Sequence, residues 1–455
     1  MNILIVYKHI DFPVRGTLKD HLYSFHTYHK NNRVFYLRLD DYLHLRMKQD
    51  KIPEYLKKID FDVIAFHYSF ASGRVAKDNR WQKTITEVEY FKKSKALKIL
   101  FAQDELYYTN QLNDFINYFD INHIYTVAPE SEWRKIYNNV DFKKVKFIKT
   151  LTGYIDPKRH ERNEIKFDGI KRTIDIGYRA RNLPPWYGKH GYRKTEIANV
   201  FNKAVISYNL TTNISTKQED TLYGDDWDSF LYECKYMLGV ESGGSVLDRD
   251  GSIREKGTKY ISEHPNYSFE EIERLFFPAL DGNIKLFALS PRNFECAASR
   301  TCQVLIEGEY NDILKPDIHY IPISKDFSNI KEVLDKIKKD DLRESIVFAA
   351  YNDIIESGNY TYQKFAEDFF NTCRKSIIAM ETKKRNKVYY SILLFYNYYS
   401  DRLSWKLVKI YLFKQNLNKW KIIDMLKRMK HNNKLVEVFY KIFIRRYLKK
   451  VFKIE

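Results

Sequence analysis

The sequence predicts an α/β protein: two doubly wound parallel sheets in succession, flanked by helices, then a basic helical tail. Two strand–helix series on either side of a polar break at residues 156–168 carry the first part of that reading. Apolar runs without alternation, such as Asn-Ile-Leu-Ile-Val-Tyr at residues 2–7, carry the second, because a strand covered on both faces has no solvent side to mark. A change of composition at residue 381 carries the third. The expected domains are 1–157, 168–375 and the tail 381–455.

In the first series, strands are expected at Asn2–Tyr7, Arg33–Arg38, Asp62–Tyr68, Leu97–Ala102, His123–Val127 and Val145–Leu151. Helices are expected between them at Gly16–His29, Asn110–Phe119 and Glu130–Asn138. Asp156 to Asp168, polar and holding Pro157, reads as a linker. In the second series, strands are expected at Thr173–Ile176, Lys203–Tyr208, Tyr236–Val240, Lys285–Leu289, Thr301–Ile306 and Tyr320–Ile323. Trp227–Lys235 reads as a helix, Ser268 with Glu271 as a capping box, and Asp341–Phe370 as helix closing this domain.

Charge separates the tail from the body. Residues 381–455 hold 20 Lys/Arg against 5 Asp/Glu, a net of +15 out of +18 for the chain of 455 residues. At 100° per residue Phe443, Ile444, Tyr447, Leu448 and Val451 share one arc, with Lys441, Arg445, Arg446, Lys449 and Lys450 opposite. Trp405, Trp420 and Tyr440 add rings suited to a headgroup boundary. The pattern fits an interfacial helix on an anionic membrane; a bundle with solvated lysines is the alternative. The uncharged run Val388–Ser400 is 13 residues, too short to span a bilayer. Met1–Ile10 lacks the basic start and cleavage site of a signal peptide, and the four cysteines have no metal-ligand spacing, so a cytosolic location is expected.

Ligands of doubly wound sheets sit beyond the carboxyl ends of the strands, which selects the residues after each run. Arg179 and Arg181, in Gly-Tyr-Arg-Ala-Arg, are guanidinium forks suited to a diphosphate; surface arginines beside a loop are the alternative. Arg193 and Lys194 are weaker choices. Glu241-Ser242-Gly243-Gly244-Ser245 follows a strand, and its Gly pair lets a ligand approach the backbone or simply makes a tight turn. Glu295, in the helix start Pro-Arg292-Asn-Phe-Glu295, can accept hydrogen bonds from the vicinal hydroxyls of a ribose, with the helix amides facing a diphosphate; it can equally be a dipole-stabilising Glu. In the first domain His67, Asp104 and His9 follow strands or begin loops. Asp226-Trp-Asp228 and Asp248-Arg-Asp250 spell Asp-x-Asp, but a helix start favours capping for the first, and a Gly turn favours bonds to its own backbone for the second, over metal binding. No metal and no cofactor is expected.

The run Arg292-Asn-Phe-Glu295-Cys-Ala resembles the Arg-x-Phe-Glu-Ala-x-Ala run of GT-B glycosyltransferases, the group-1 or family-4-like kind. His67-Tyr-Ser, Gln103-Asp-Glu, Leu151-Thr-Gly-Tyr154, Gly177-Tyr-Arg-Ala-Arg181 and His319-Tyr-Ile-Pro also resemble phrases of bacterial surface-polysaccharide glycosyltransferases, over about residues 1–330. The resemblance implies a nucleotide-sugar-binding domain at 168–375 and an acceptor-side domain at 1–157, facing across a cleft. It implies that Arg292, Glu295, Arg179, Arg181 and the Glu241–Gly243 turn hold a nucleotide-diphosphate sugar as donor substrate. Asp104, His67 or His9 would then serve the acceptor, a glycan or lipid-linked glycan. Family-4-like enzymes often carry a second, earlier Glu with seven residues between the two; here that position is Phe287.

These readings combine into a metal-independent glycosyltransferase of cell-surface polysaccharide synthesis, retention slightly favoured over inversion, held at the inner face of the cell membrane by 381–455. A polyol-phosphate transferase or a nucleotide-sugar epimerase is the rival on the same scaffold. A nucleic-acid-binding role is set aside, since no base-reading module is present.

Overall fold

The structure, a computed structural model, describes residues 1–8, 16–39, 52–75, 80–377 and 390–402. The first domain is a six-stranded parallel sheet of β1 (Asn2–Tyr7), β2 (Arg33–Arg38), β3 (Val63–Phe66), β4 (Leu97–Ala102), β5 (His123–Thr126) and β6 (Lys146–Lys149). Their order is β2-β1-β3-β4-β5-β6. The second domain has β7 (Ile174–Arg179), β8 (Thr212–Ser215), β9 (Cys234–Gly239), β12 (Cys302–Ile306) and β13 (Tyr320–Ile323), ordered β13-β12-β9-β7-β8 and parallel throughout. A separate antiparallel pair, β10 (Ser242–Gly244) with β11 (Leu286–Ala288), stands apart from that sheet. The fold is thus the expected α/β class, with two doubly wound parallel sheets of the Rossmann-like kind. In each sheet the winding reverses beside the first strand, at β1/β3 and at β7/β9, the crevices where such sheets take ligands.

The strands form where the runs are apolar on both faces: β1 is buried along its whole length, as are β3, β4 and β5. Ile176, Tyr178, Leu238, Val304 and Ile321 make the core of the second sheet, covered by Ile197 and Phe201 of the helix Gly188–Ala204.

Three elements differ from expectation. Lys203–Tyr208 is the end of the helix Gly188–Ala204 and a 3-10 turn, and the strand comes later at Thr212–Ser215. The apolar positions there continue the helical spacing of Ile197 and Phe201, so the period, not the β-branched residues, decides. The supposed linker is a ten-residue helix, Pro157–Lys166, with Asp156 as its N-cap accepting the amide of Arg159 and Pro157 at its start. Third, the stretch expected as helix closing the second domain at Asp341–Phe370 is several helices, and its last, Tyr362–Ile377, packs on the first domain. Phe369 lies 4.8 Å from Phe25 and 5.7 Å from Phe101, ring centre to ring centre. The two chain crossings between the domains are tied together, Ile155 donating to the carbonyl of Tyr360 and Tyr362 to that of Ile155. His9, and the tail beyond residue 402, lie outside the described residues.

Candidate functional site

The helix Pro291–Ala298 starts where the sequence places it. Ser290 is the N-cap, Pro291 occupies the first turn, and Asn293 closes a capping box. The amide of Arg292 is donated to Ser290 Oγ and that of Asn293 to the Ser290 carbonyl. Its first amides are therefore already satisfied, a correction to the expectation that they face a diphosphate.

One turn in, Glu295 is half-buried at the wall of a cleft between the domains. Trp227 donates its indole N–H to Glu295 Oε2 at 2.9 Å, and Arg159 Nη1 lies 3.6 Å from Oε1. Arg159 comes from the helix Pro157–Lys166 and binds Asp228 through Nε and Nη2 and Asp20 through Nη1 at 3.4 Å. Four elements thus meet there: the helix Gly16–Thr27 (Asp20), the linker helix (Arg159), the helix Asp225–Glu233 (Trp227, Asp228) and the helix carrying Glu295. Tyr154, Asn163 and Phe294 complete a cleft of about 500 Å³ including its open mouth.

The charges there are unequal. Burial works against Arg159's charge, but Glu295, Asp228 and Asp20 outweigh it and hold the guanidinium above its ordinary range. Asp20 is pushed up to about 7, first by burial and then by Asp156 and Glu295, with Arg159 opposing. Asp20 therefore exchanges its proton near neutrality on the first-domain side of the cleft.

Arg292 joins this cluster: its Nη2 donates to the carbonyl of Arg179, and its guanidinium lies 5.5 Å from the ring centres of both Tyr178 and Trp227. Arg179 itself is differently committed. Nε donates to the Asp220 carbonyl, Nη1 to the carbonyls of Tyr178 and Asn213, and Nη2 to Asn213 Oδ1, over the Phe230 ring. Its fork fastens the edge strand β8 instead of facing Glu295. Arg181 stands exposed two residues on.

The Glu241–Gly243 turn is also used internally. Glu241 is buried, accepts the amide of Tyr310 at 2.8 Å, and is pushed up chiefly by burial. Ser242 and Gly243 pair with Ala288 and Phe287 in β10–β11. Gly243 has φ +104°, and a Cβ there would stand 1.8 Å from the Leu286 carbonyl oxygen, so the tight ladder explains the glycine. Phe287, at the position of the absent second acid, stacks on His190 with ring centres 3.7 Å apart.

In the first domain, His67 does not face the cleft as expected. It is fully buried, its Nε2 2.9 Å from His21 Nδ1 and its Nδ1 accepting the Ser69 amide at 3.1 Å as a helix N-cap. Burial, then the neighbouring His21, holds its pKa well below the imidazole range. The side chain of Asp104 is exposed, on a residue with φ +53°, and Arg74 donates to its carbonyl. Beside it Tyr107 meets Tyr187 of the second domain, hydroxyl to hydroxyl at 3.0 Å.

Asp248 binds the backbone of its own Gly-containing turn as expected, accepting the amides of Gly251, Ile253 and Arg254, and is no cap. Asp228 is not the expected cap: Gly224 caps its helix, and the carboxylate is taken by Arg159. Among the described residues no three His, Cys, Asp or Glu side chains are grouped to hold a metal ion.

Asp20, Arg159 and Trp227 were missed from sequence. For Arg159 a signal existed: Asp156-Pro157 is a helix start, and a helix there aims its first turn at the cleft. Asp20 and Trp227 carried none, being one polar and one apolar residue on ordinary amphipathic helices.

The chain matches no protein-family model and no curated protein. Solved structures similar in fold include S. aureus TarM, 15% identical over 70% of this chain and 57% of that one, with a TM-score of 0.37. HepE from Anabaena, in complex with UDP-glucose, is 10% identical over 82% of this chain and 100% of its own, at 0.45. A glycosyltransferase from Rickettsia africae is 12% identical over 84% and 99%, at 0.43. This chain spans little more than half the length of TarM. With every one of these TM-scores below 0.5, the chemistry of the site rests on its own residues.

Proposed function

We propose that this chain is a glycosyltransferase that moves a sugar from a nucleotide-diphosphate donor to a glycan acceptor, lipid-linked, in cell-surface polysaccharide synthesis. The observation that carries the reading is Glu295, a part-exposed carboxylate fixed by Trp227 and Arg159 at the edge of a cleft between doubly wound domains. Two carboxylate oxygens held at fixed positions suit the two vicinal hydroxyls of a ribose. Arg292, whose guanidinium lies 5.5 Å from the Trp227 ring centre, supplies positive charge for a departing diphosphate, an electrostatic task that needs no metal ion, while Arg159, matched by three carboxylates, holds Glu295 in place. Both Asp-x-Asp pairs already have a carboxylate committed, to Arg159 and to helix amides. Arg181, exposed beyond β7, is the further cation, and Arg179 acts by positioning the β7–β8 edge.

Acceptor-side chemistry falls to Asp20 and Asp104. Asp20 sits opposite Glu295 and holds a pKa near 7, suited to accepting a proton from an acceptor hydroxyl or to steadying a cationic sugar in retention. The basic segment 381–455 keeps the enzyme at an anionic membrane surface on the cytoplasmic side, beside its acceptor. Among the described residues no helix is long and apolar enough to cross a membrane.

A thermal-shift screen with nucleoside diphosphates and their sugars tests the donor reading. A ligand at a hundredfold its Kd adds about 2.7 kcal/mol to the folded state. Glu295→Gln keeps an acceptor for Trp227 but loses the charge, and should bind the same nucleotide at least tenfold more weakly with an unchanged melting temperature. No stabilisation by any nucleotide, or equal stabilisation of the variant, would remove the proposal. Turnover of a nucleotide-activated polyol in place of a sugar would point to the phosphopolyol transferase.

A further inference from the structure

The chain is helical over 390–402, and this helix carries large apolar side chains on its exposed face as well as on its buried one. At 100° per residue Ile392, Phe395 and Tyr399 fall within an arc of about 60°, and Tyr390, Asn397 and Asp401 within another of about 40° on the opposite side. The apolar arc is the exposed one: Ile392 is 64% exposed, Phe395 41% and Tyr399 45%. The arc that holds Asn397 and Asp401 is buried, at 2% and 8%, with Tyr390 at 9%. Phe395 and Tyr399 pack side by side, ring centres 4.4 Å apart with their planes tilted by 44°, so the exposed face is a continuous apolar strip. A helix in water ordinarily keeps its exposed face polar, and an exposed apolar strip marks a contact surface.

Charge decides what covers it. No Asp, Glu, Lys or Arg occurs from Val388 to Ser400, while 381–455 holds 20 basic and 5 acidic residues. A second copy of so basic a segment would be repelled, whereas an anionic lipid surface is attracted by the flanking charges and accepts the rings. We infer that Ile392, Phe395 and Tyr399 form the insertion face through which this chain docks on an anionic bilayer. This deepens the membrane part of the proposed function and is independent of its donor chemistry. The basic residues supply long-range attraction, and the three apolar side chains supply depth, which salt does not screen.

Co-sedimentation of the full-length chain with phosphatidylcholine vesicles, with and without phosphatidylserine, tests the inference. The protein should pellet with the anionic vesicles. Ile392→Glu combined with Phe395→Glu should lower that binding roughly tenfold or more, since two large side chains leave the lipid. Phe395→Gln, with no added charge, should lose less, and Phe395→Trp should retain it. Melting temperature and nucleotide binding should be unchanged in all of them. Equal pelleting of the double variant, with loss only when Arg445, Arg446, Lys449 and Lys450 are changed to Gln, would overturn the inference in favour of charge alone. A concentration-dependent dimer abolished by Phe395→Glu, with vesicles ignored, would overturn it in favour of a second copy. Failure of every nucleotide in the thermal-shift screen would sink the donor reading and leave this one standing.

Discussion

Asp20 keeps its proton to about pH 7 in the folded chain and releases it near 3.8 when exposed. The folded state therefore binds the extra proton between those values, and its contribution to stability is present below 3.8 and lost as pH rises through 7. Asp20→Asn mimics the protonated form, so it should melt as the wild type does below pH 3.8 and at a higher temperature at pH 8. Melting curves across that range check it; a variant less stable at pH 8 would mean that the Arg159 contact outweighs burial. His21 and His67 act in the opposite sense. Burial holds His21 down to about 3 and His67 well below 6.5, so their contribution is present above 6.5 and is lost as pH falls from there toward the folded values, about 3 for His21. Replacing either alone strands a buried ring nitrogen of the other, at a cost of about 1–3 kcal/mol, read from urea unfolding at pH 7.5. The motif that suggested an acceptor base at His67 was a residue type at a strand end; the structure makes it the N-cap of the next turn.

At the scale of elements, the helix Pro157–Lys166 controls the site because it presents Arg159 to three carboxylates. Its start depends on Asp156, which accepts the Arg159 amide at 2.9 Å and the Tyr28 hydroxyl at 2.9 Å. Asp156→Ala removes the cap and should cost about 1 kcal/mol or more of stability. It should also weaken nucleotide binding several-fold by loosening Arg159, whereas Asp156→Asn or Asp156→Ser should restore both. Calorimetry and ligand titration together separate those effects. The strands β1, β2, β4 and β13 were legible to the residue because short, mostly apolar runs without the helical spacing read as strands buried on both faces. Glu295 was legible because Ser290-Pro291 announces the helix that carries it. The partners of Glu295 were not. Asp20, Arg159 and Trp227 stand 275, 136 and 68 residues earlier, and nothing local in an amphipathic helix records what its polar residue meets across a cleft.

At the scale of the molecule, the chain leaves the first domain, builds the second, and returns. The helix Tyr362–Ile377 sets Phe365, Phe369 and Phe370 against Phe25, Phe101 and Tyr125, so the first sheet's cover is completed by residues some 200 positions beyond its last strand. Tyr362 also donates its hydroxyl to the carbonyl of Thr17, one turn before Asp20. The two domains therefore share a core element, and the stability of the first depends on a segment that follows the second. Phe369 is fully buried, and Phe369→Ala opens a cavity worth about 3–5 kcal/mol. The cost should fall on the first sheet: amide hydrogen exchange at Leu97–Ala102 should accelerate by about two orders of magnitude or more, with β12 in the second domain changing far less. If β12 and Leu97–Ala102 accelerate equally, the two sheets unfold as one cooperative unit; if only β12 responds, the helix belongs energetically to the second domain despite where it lies. Glu295→Gln removes no packing and should leave exchange at Leu97–Ala102 untouched, which separates loss of the site from loss of the scaffold.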